Sequence, residues 1–263
     1  MKTFNISEWI KFRSNLSKDL SIGFVPTMGA LHEGHLSLVK QSLLENEITL
    51  VSIYINPTQF DNSSDFKNYP HHLESDISIL ESLSSDNLFL LIPEYKDIYP
   101  DDYAFKVSEN NFSRILCGKF RKGHFDGVLT IVLKLLNISG AQKAYFGEKD
   151  FQQLTLIKDM VHAFFVPIKI IACPIVREQD GLAMSSRNKR LSEEQRRQAP
   201  EIYKVLNQNL NKEKAEQYLH QYGIDLEYLE LHNNRKYIAA NIGEVRLIDN
   251  IDVKEEHKLW FYV

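Results

Sequence analysis

The chain of 263 residues has few cysteines, no long apolar run and no large excess of charge. Its two cysteines, Cys117 and Cys173, are too few for a disulfide framework or a four-cysteine zinc site, and they indicate a reducing compartment. No apolar stretch approaches the ~20 residues that a bilayer-spanning helix needs, and the first residues lack the apolar core of a secretory signal. We therefore predict a soluble cytoplasmic protein that does not bind a membrane.

The charge balance also limits the choice of partner. Thirty-one basic and 35 acidic residues give a net charge of −4, which argues against a nucleic-acid groove but leaves room for a local phosphate site. Hydrophobic residues make up 43% of the chain and charged residues 25%, so collagen-like and disordered classes are excluded. The length favours one large domain or two unequal ones.

Strand-like and helix-like segments alternate over the first two-thirds of the chain. Apolar runs predict strands, which lie at 22–26, 48–56, 88–93, 144–147 and 168–176. Segments with helical spacing lie between most of these strands, at 35–45, 74–83, 127–138 and 154–164. This alternation predicts an α/β fold, a mostly parallel sheet covered by helices on both faces. Ligands of such sheets bind beyond the carboxyl ends of the strands.

The pattern changes after about residue 190. Ser192 is expected to cap a helix, with Gln195 at the capping-box position. Four half-buried segments then predict antiparallel strands: LEYLELH, KYIAAN, VRLIDN and KLWFYV. We therefore predict an α/β domain over residues 1–175 and a smaller α+β domain over residues 176–263.

PTMGALHEGH, at 26–35, joins the first strand to its helix. Gly29 and Gly34 let the backbone approach a ligand, and the helix start supplies N–H groups and partial positive charge. His32 and His35 are three residues apart, so both rings face the same way. A zinc site of the HExxH type needs a spacing of four, so a polyphosphate is the favoured ligand. Two solvated histidines at a helix start are the alternative.

Polar side chains follow the next predicted strand as well. Asn56 and Gln59 carry neutral amides that can hold hydroxyls and a carboxylate, although loop structure explains them equally well. Asp76 begins a helix, where an acid that stabilises the helix start is favoured over a magnesium contact.

Two later segments carry possible phosphate donors. In YFGEKDFQQL, Lys149 supplies a point charge, Asp150 can accept from ribose hydroxyls or cap a helix, and Gln153 lies one turn into that helix. In VREQDGLAMSSRN, two serines and an arginine at 185–187 can close over phosphates. A solvated linker is the alternative for this second segment.

These motifs together resemble a known family. HEGH after a strand, with MSSRN downstream, resembles the HIGH and KMSKS signatures of the HxGH nucleotidylyltransferases and class I aminoacyl-tRNA synthetases. Taken in order, PTMGALHEGHLSLV, NPTQF, FGEKDFQQL and VREQDGLAMSSRN are similar to the pantothenate synthetase (pantoate–β-alanine ligase) family. The likeness runs from about residue 21 to residue 190, and LEYLELH and RLIDN resemble the C-terminal domain of the family.

The resemblance implies an ATP-dependent ligase of coenzyme A biosynthesis. Such an enzyme condenses (R)-pantoate with β-alanine through pantoyl adenylate and releases AMP and pyrophosphate. The resemblance also implies that the N-terminal domain has a Rossmann-like parallel sheet of the HxGH nucleotidylyltransferase type and binds nucleotide and pantoate, and that the C-terminal domain closes over the site. A homodimer is expected, with Mg²⁺ accompanying ATP and Asp76 as a metal contact.

The resemblance also assigns roles to individual residues. The implied catalytic residues are His35 as proton donor, with His32, Lys149, Ser185 and Arg187. The resemblance implies that Gln59 and Gln153 bind pantoate and that Gln59 also lies near the β-alanine site. Asn56 is implied as a further polar contact. The implied ATP site is the largest set: Met28, Gly29, Ala30, Leu31, His32, Glu33, Gly34, His35, Gly147, Glu148, Lys149, Asp150, Val176, Met184, Ser185, Ser186 and Arg187.

The chain departs from the family pattern at three positions. Cys117 stands where the family usually has glutamate, Lys122 where it has proline, and Ser75 where the family often has the first of two acids. Three other functions compete: an HxGH adenylyltransferase that makes a dinucleotide, a tRNA synthetase, and a nucleotide-binding regulatory module without turnover. AMP release with and without pantoate separates these alternatives.

Overall fold

A computed structural model describes residues 1–253 and divides the chain into two compact units. Among the described residues, the first unit holds Met1–Glu148 and Gln152–Pro174, and the second holds Lys149–Phe151 and residues 175–253. The strand predicted for KLWFYV lies outside the described residues. Within residues 1–253, every helix is too short or too polar to cross a membrane.

The first unit is built on a parallel sheet. Its strands are β1 Lys2–Phe4, β2 Ile22–Thr27, β3 Ile48–Ile53, β4 Leu88–Leu91, β5 Lys143–Gly147 and β6 Lys169–Cys173. They lie in the order β1-β4-β3-β2-β5-β6, and every neighbouring pair is parallel. All six residues of β3 are buried, as expected of a central strand covered on both faces. The predicted parallel sheet is confirmed.

Helices connect these strands. They are α1 Ile6–Ser14, α2 Glu33–Glu45, α3 Ser63–Lys67, α4 Leu73–Glu81, α5 Tyr95–Ile98, α6 Cys117–Phe120, α7 His124–Ser139 and α8 Phe151–Ala163. The four predicted helices correspond to α2, α4, α7 and α8. The predicted strand at 168–176 is too long, because Pro174 has no N–H to donate and β6 ends one residue before it.

The elements β1 and α1 were not predicted from the sequence. The signal for α1 is nevertheless present, because Asn5 and Glu8 form a capping box. The Asn5 side chain accepts from the Glu8 N–H at 2.9 Å, and the Glu8 carboxylate accepts from the Asn5 N–H at 2.9 Å. Trp9 of this helix is fully buried, and its indole N–H donates to the Ser139 carbonyl at 3.2 Å.

Packing between the sheet and its helices fixes the loops that follow the strands. One core cluster joins β2, β3 and β4 to α2 and α4: Val25, Leu31, Leu36, Leu38, Val39, Val51, Ile53, Leu80, Leu88 and Leu90, with Tyr145 and Cys173. On α7, Gly127 allows the backbone after β3 to approach closely. A Cβ at Gly127 would lie only 2.4 Å from the Thr58 carbonyl oxygen, so a larger residue would displace the turn.

The second unit pairs three helices with an antiparallel sheet. Its helices are α9 Glu193–Gln198, α10 Glu201–Asn207 and α11 Lys212–His220, and its strands are β7 Ile224–His232, β8 Arg235–Ile242 and β9 Val245–Asp252. The sheet order β7-β8-β9 is antiparallel throughout, as predicted. The predicted capping box of Ser192 and Gln195 is confirmed at the start of α9. Asn233 and Asn234 both have positive φ in the two-residue turn between β7 and β8, where asparagine tolerates that conformation.

Candidate active site

The turn between β2 and α2 is held by a buried carboxylate. Gly29 and Ala30 adopt φ values of +80° and +51°, which direct backbone N–H groups of the turn inward. The Ala30 N–H donates to Asp76 Oδ2 at 2.8 Å, and the Leu31 N–H donates to Asp76 Oδ1 at 2.7 Å. A Cβ at Gly29 would lie 2.8 Å from Asp76 Oδ2, so this position requires glycine for both its φ and its contact.

These bonds define what Asp76 does in the structure. Its side chain is 3% exposed, and each carboxylate oxygen accepts one backbone N–H from the turn. This arrangement gives the carboxylate a structural role, whereas a magnesium contact by Asp76 stays a prediction. Over residues 1–253, no cluster of three His, Cys, Asp or Glu side chains could hold a metal ion.

The two histidines of the turn lie side by side. His32 is the N-cap of α2, and its Nδ1 accepts from the Gly34 N–H at 3.1 Å. The proton of the neutral His32 ring is therefore on Nε2, which leaves that nitrogen able to donate. The rings of His32 and His35 have centroids 4.1 Å apart, as their three-residue spacing predicts. Glu33 points elsewhere, since its carboxylate pairs with Lys40 at 3.3 Å.

Asn56 lies in the loop that follows β3, and both ends of its side-chain amide form hydrogen bonds within the protein. It is 1% exposed and precedes the 3-10 turn Pro57–Gln59. Its Oδ1 accepts from the Tyr99 hydroxyl at 2.8 Å and from Thr58 Oγ1 at 3.1 Å. Its Nδ2 donates to the Gly127 carbonyl at 3.3 Å and to Gln59 Oε1 at 3.2 Å.

Gln59 connects this amide to the β2–α2 turn. Its Oε1 is engaged by Asn56, while its Nε2 lies 3.1 Å from the Met28 sulfur. A thioether is a weak acceptor, so this N–H₂ can exchange to a stronger acceptor such as a carboxylate. The His124 ring contacts the Gln59 carbonyl through Nδ1 at 2.7 Å, which fixes the backbone of the turn. The structure thus brings Met28, Asn56 and Gln59 together at the carboxyl ends of β2 and β3.

The segment after β5 divides between the two units. Gly147 ends β5 and Gln153 is half-buried on α8, both in the first unit. Lys149 and Asp150 belong to the second unit, where the ammonium lies 3.9 Å from the Asp150 carboxylate. The Lys149 carbonyl accepts from Asn250 Nδ2 at 2.8 Å. Glu148 is half-buried in the 3-10 helix Glu148–Asp150 that joins these positions.

Gln152 is a residue that sequence reasoning missed. Its Oε1 accepts from the Cys117 N–H at 3.1 Å, and its Nε2 donates to the carbonyls of Phe112 and Ile115 at 2.7 and 2.8 Å. Gln152 therefore holds the loop that carries Cys117, the main departure from the family pattern. The two neighbouring glutamines were visible in the sequence, but only the packing of α8 decides which of them is buried.

The second unit folds the predicted 176–188 segment into an ordered loop. The Met184 N–H donates to the Val176 carbonyl at 3.0 Å, and Ser185 Oγ accepts from the Arg187 N–H at 3.2 Å at the start of the 3-10 helix Ser186–Arg190. Arg177 binds both oxygens of Asp249, at 2.5 and 2.9 Å. A solvated linker would lack these bonds, so that alternative is not supported.

The second cysteine has no features of a nucleophile. Burial raises the pKa of the Cys173 thiol to about 11, and nearby carboxylates act in the same direction. Its Sγ donates to Gln41 Oε1 at 3.0 Å. The thiol is therefore protonated at neutral pH and serves packing.

Comparison with known proteins identifies the family to which the chain belongs. The model of the pantoate-beta-alanine ligase family matches residues 2–252, nearly the whole chain. The chain belongs to the pantoate–β-alanine ligase family. It is therefore an enzyme, a ligase that forms pantothenate.

Individual relatives support the assignment over almost their full lengths. Pantothenate synthetase of Legionella pneumophila (strain Lens) is 49% identical over 246 residues, which cover 94% of the chain and 97% of that protein. A solved structure of the ligase from Francisella tularensis, complexed with beta-gamma ATP and beta-alanine, has a TM-score of 0.91 at 46% identity and covers 96% and 97% of the two chains. The solved structure of pantothenate synthetase from Thermus thermophilus has a TM-score of 0.84 at 35% identity, with 96% and 99% coverage.

Replacement of Asp76 by asparagine tests the structural role of its carboxylate. In Asp76→Asn an N–H₂ group faces a backbone N–H, so one charge-assisted hydrogen bond is lost and the other is weakened. At roughly 2–3 kcal/mol, the loss lowers the Tm by roughly 4–12 °C. The measurement is thermal unfolding in EDTA, which removes any contribution of a metal.

Glu74→Gln is the matched control, because Glu74 is an exposed acid in the same first turn of α4. We expect its Tm to stay close to that of the unsubstituted chain. If Asp76→Asn kept its Tm in EDTA but needed more Mg²⁺ for activity, Asp76 would be a metal ligand and the structural role would be wrong.

Proposed function

We propose that the chain forms pantothenate in two steps, through a pantoyl-adenylate intermediate bound beside the β2–α2 turn. In the first step a carboxylate oxygen of (R)-pantoate bonds to the α-phosphorus of ATP, and the bond to pyrophosphate breaks. In the second step the β-alanine amine bonds to the acyl carbon, AMP leaves, and the amine loses a proton. The observation that carries the proposal is the Gln59 N–H₂ group, placed 3.1 Å from Met28 in the turn that holds both histidines.

The β2–α2 turn supplies donors for phosphate oxygens. A helix N-terminus attracts anions, and the first turn of α2 begins within this loop. His32 can donate from Nε2, because its Nδ1 already accepts from Gly34. We assign His35 the part of proton donor to the charge that develops on the leaving phosphates. These fixed donors stabilise the transition state without a covalent nucleophile.

Neutral amides suit the carboxylate and hydroxyls of pantoate. Gln59 Oε1 already accepts a hydrogen bond from Asn56, so the N–H₂ group of Gln59 is the part that donates to a ligand. We assign pantoate to Gln59 and Gln153, with Asn56 as the residue that fixes Gln59, and place β-alanine close to Gln59. An amide binds the carboxylate without a permanent positive charge, so the oxygen keeps its nucleophilic character.

The binding of ATP has independent support from a relative. The Francisella tularensis ligase is complexed with beta-gamma ATP and beta-alanine, the two molecules that the proposal requires besides pantoate. We propose that Mg²⁺ accompanies the ATP phosphates, as it usually does with nucleoside triphosphates. Each Asp76 oxygen accepts one N–H group, which gives the carboxylate a structural role, so no step in the proposal depends on that residue binding a metal.

The remaining assignments are proposals by family resemblance. Lys149, Ser185 and Arg187 are assigned to phosphate oxygens as one ammonium, one hydroxyl and one guanidinium group. A homodimer and a cytoplasmic location are proposed on the same basis.

Loss of either glutamine amide is expected to impair pantoate use selectively. In Gln59→Ala and Gln153→Ala the KM for pantoate rises about 5- to 100-fold, because hydrogen bonds worth roughly 1–3 kcal/mol are lost. The KM for ATP stays within about 2-fold in each variant. Gln221→Ala, which removes an exposed glutamine after α11, is the control and keeps both constants. Equal losses for ATP and pantoate would contradict the assignment.

The two-step order predicts an exchange reaction without β-alanine. Pantoate alone drives labelled pyrophosphate into ATP, because adenylation is reversible and precedes the arrival of the amine. His35→Ala lowers this exchange about 10²- to 10³-fold, the effect of removing a donor to developing charge. Exchange that requires β-alanine would contradict the order of the steps, and exchange without pantoate would contradict the substrate assignment.

A further inference from the structure

A chain of hydrogen bonds connects a buried tyrosine to the proposed pantoate amide. Tyr99 follows α5 and is 1% exposed. Its hydroxyl donates to Asn56 Oδ1 at 2.8 Å, and Asn56 Nδ2 donates in turn to Gln59 Oε1 at 3.2 Å. These three side chains lie in the first unit, on the loops that follow β3 and β4.

The surroundings of Asn56 permit one orientation of its amide. Nδ2 faces the Gly127 carbonyl oxygen, which can only accept, so the N–H₂ end must lie on that side. Oδ1 then faces two hydroxyls, those of Tyr99 and Thr58. Of the two, the Tyr99 hydroxyl forms the shorter bond, 2.8 Å against 3.1 Å for Thr58. Tyr99 is also buried, whereas Thr58 is only half-buried.

The orientation of Asn56 decides the orientation of Gln59. Because Asn56 presents a donor, Gln59 must present its oxygen there, and its N–H₂ is directed to the Met28 side. If the Asn56 amide turned over, it would present its oxygen to Gln59, and Gln59 would then direct its own oxygen toward the ligand. Gln59 Oε1 and the carboxylate of the ligand, both acceptors, would then face each other. A carboxylate would lose a donor and meet a repulsive group.

We propose that Tyr99 is a positioning residue for pantoate: its hydroxyl holds Asn56, which keeps the Gln59 N–H₂ turned toward the ligand. This inference rests on the proposed function, since it takes Gln59 as a pantoate ligand. Tyr99 itself touches neither the substrate nor the reacting atoms in this account.

The environment of Tyr99 suits this task. The Lys134 ammonium lies 4.9 Å from the centre of the ring and donates to the Ile98 carbonyl at 2.8 Å, which fixes the ring from one side. The Tyr103 ring packs edge-on with a centroid distance of 5.4 Å. Burial raises the pKa of Tyr99 to about 12, so the hydroxyl keeps its proton and remains a donor at assay pH.

The test is a double-mutant cycle on ligand affinity. Tyr99→Phe keeps the ring and removes the hydroxyl, and it is combined with Gln59→Ala in all four combinations. Calorimetry gives the Kd for pantoate in the presence of an ATP analogue whose α–β bridge is a methylene group, so that adenylation cannot occur, together with the Kd for that analogue alone. Steady-state kinetics supply the KM values and kcat of the same four proteins.

We expect Tyr99→Phe to raise the Kd and KM for pantoate about 3- to 10-fold, the effect of one neutral hydrogen bond, with analogue affinity unchanged. In the Gln59→Ala background the same substitution has no further effect, since the amide that it positions is gone. Tyr95→Phe is the matched control: its ring packs 5.1 Å from that of Tyr99 but is 39% exposed, and we expect no change.

Three results would overturn the inference, and they differ from failure of the proposed function. Tyr99→Phe without effect on pantoate, or with the same effect in the Gln59→Ala background, contradicts the connection through Asn56. An equal loss of analogue and pantoate affinity indicates general damage to the fold and contradicts a positioning role. If Gln59→Ala alone leaves pantoate affinity unchanged, the pantoate assignment itself is wrong, and the role of Tyr99 falls with it.

Discussion

The geometry of the candidate site depends on one buried carboxylate that accepts two consecutive backbone N–H groups. Asp76, on α4, accepts from the N–H groups of Ala30 and Leu31 and so holds a turn in which Ala30 has a left-handed φ of +51°, unfavourable for a residue with a side chain. The turn sets where α2 begins, and hence where its N-terminus and the rings of His32 and His35 lie. The proposed binding of phosphate at this turn therefore depends on a structural contact between the turn and a helix that is distant in the sequence.

A second buried network extends this arrangement to the neighbouring strand. Asn56 satisfies all its hydrogen-bonding groups within the protein, whereas Gln59 leaves its N–H₂ beside the weak acceptor of Met28. A fully bonded amide is rigid, and an amide with a weak partner can exchange it for a ligand at low cost. The proposed function gives the two residues different roles, support for Asn56 and pantoate binding for Gln59, and both lie where the carboxyl ends of parallel strands meet.

The sequence predicted the elements that have strong local signals. Hydrophobic periodicity predicted the parallel sheet, and the spacing of His32 and His35 predicted adjacent rings, because both depend on nearby residues. The sequence did not predict contacts between distant segments: the bond of Asp76 to a residue 46 positions away, the choice of Gln152 as the buried glutamine, and the approach of Tyr99 to Asn56. Such contacts arise from packing, which no local pattern specifies.

Isotope transfer distinguishes the proposed attack of the pantoate carboxylate on the α-phosphorus of ATP from attack on another phosphorus. Pantoate labelled with ¹⁸O in its carboxylate is incubated with ATP, β-alanine and the enzyme, and the products are analysed by mass spectrometry. The account predicts one labelled oxygen in AMP and none in pyrophosphate, because the bridging oxygen of the adenylate leaves with AMP. Unlabelled AMP, with the label in pyrophosphate or phosphate, would contradict adenylation and indicate attack at another phosphorus.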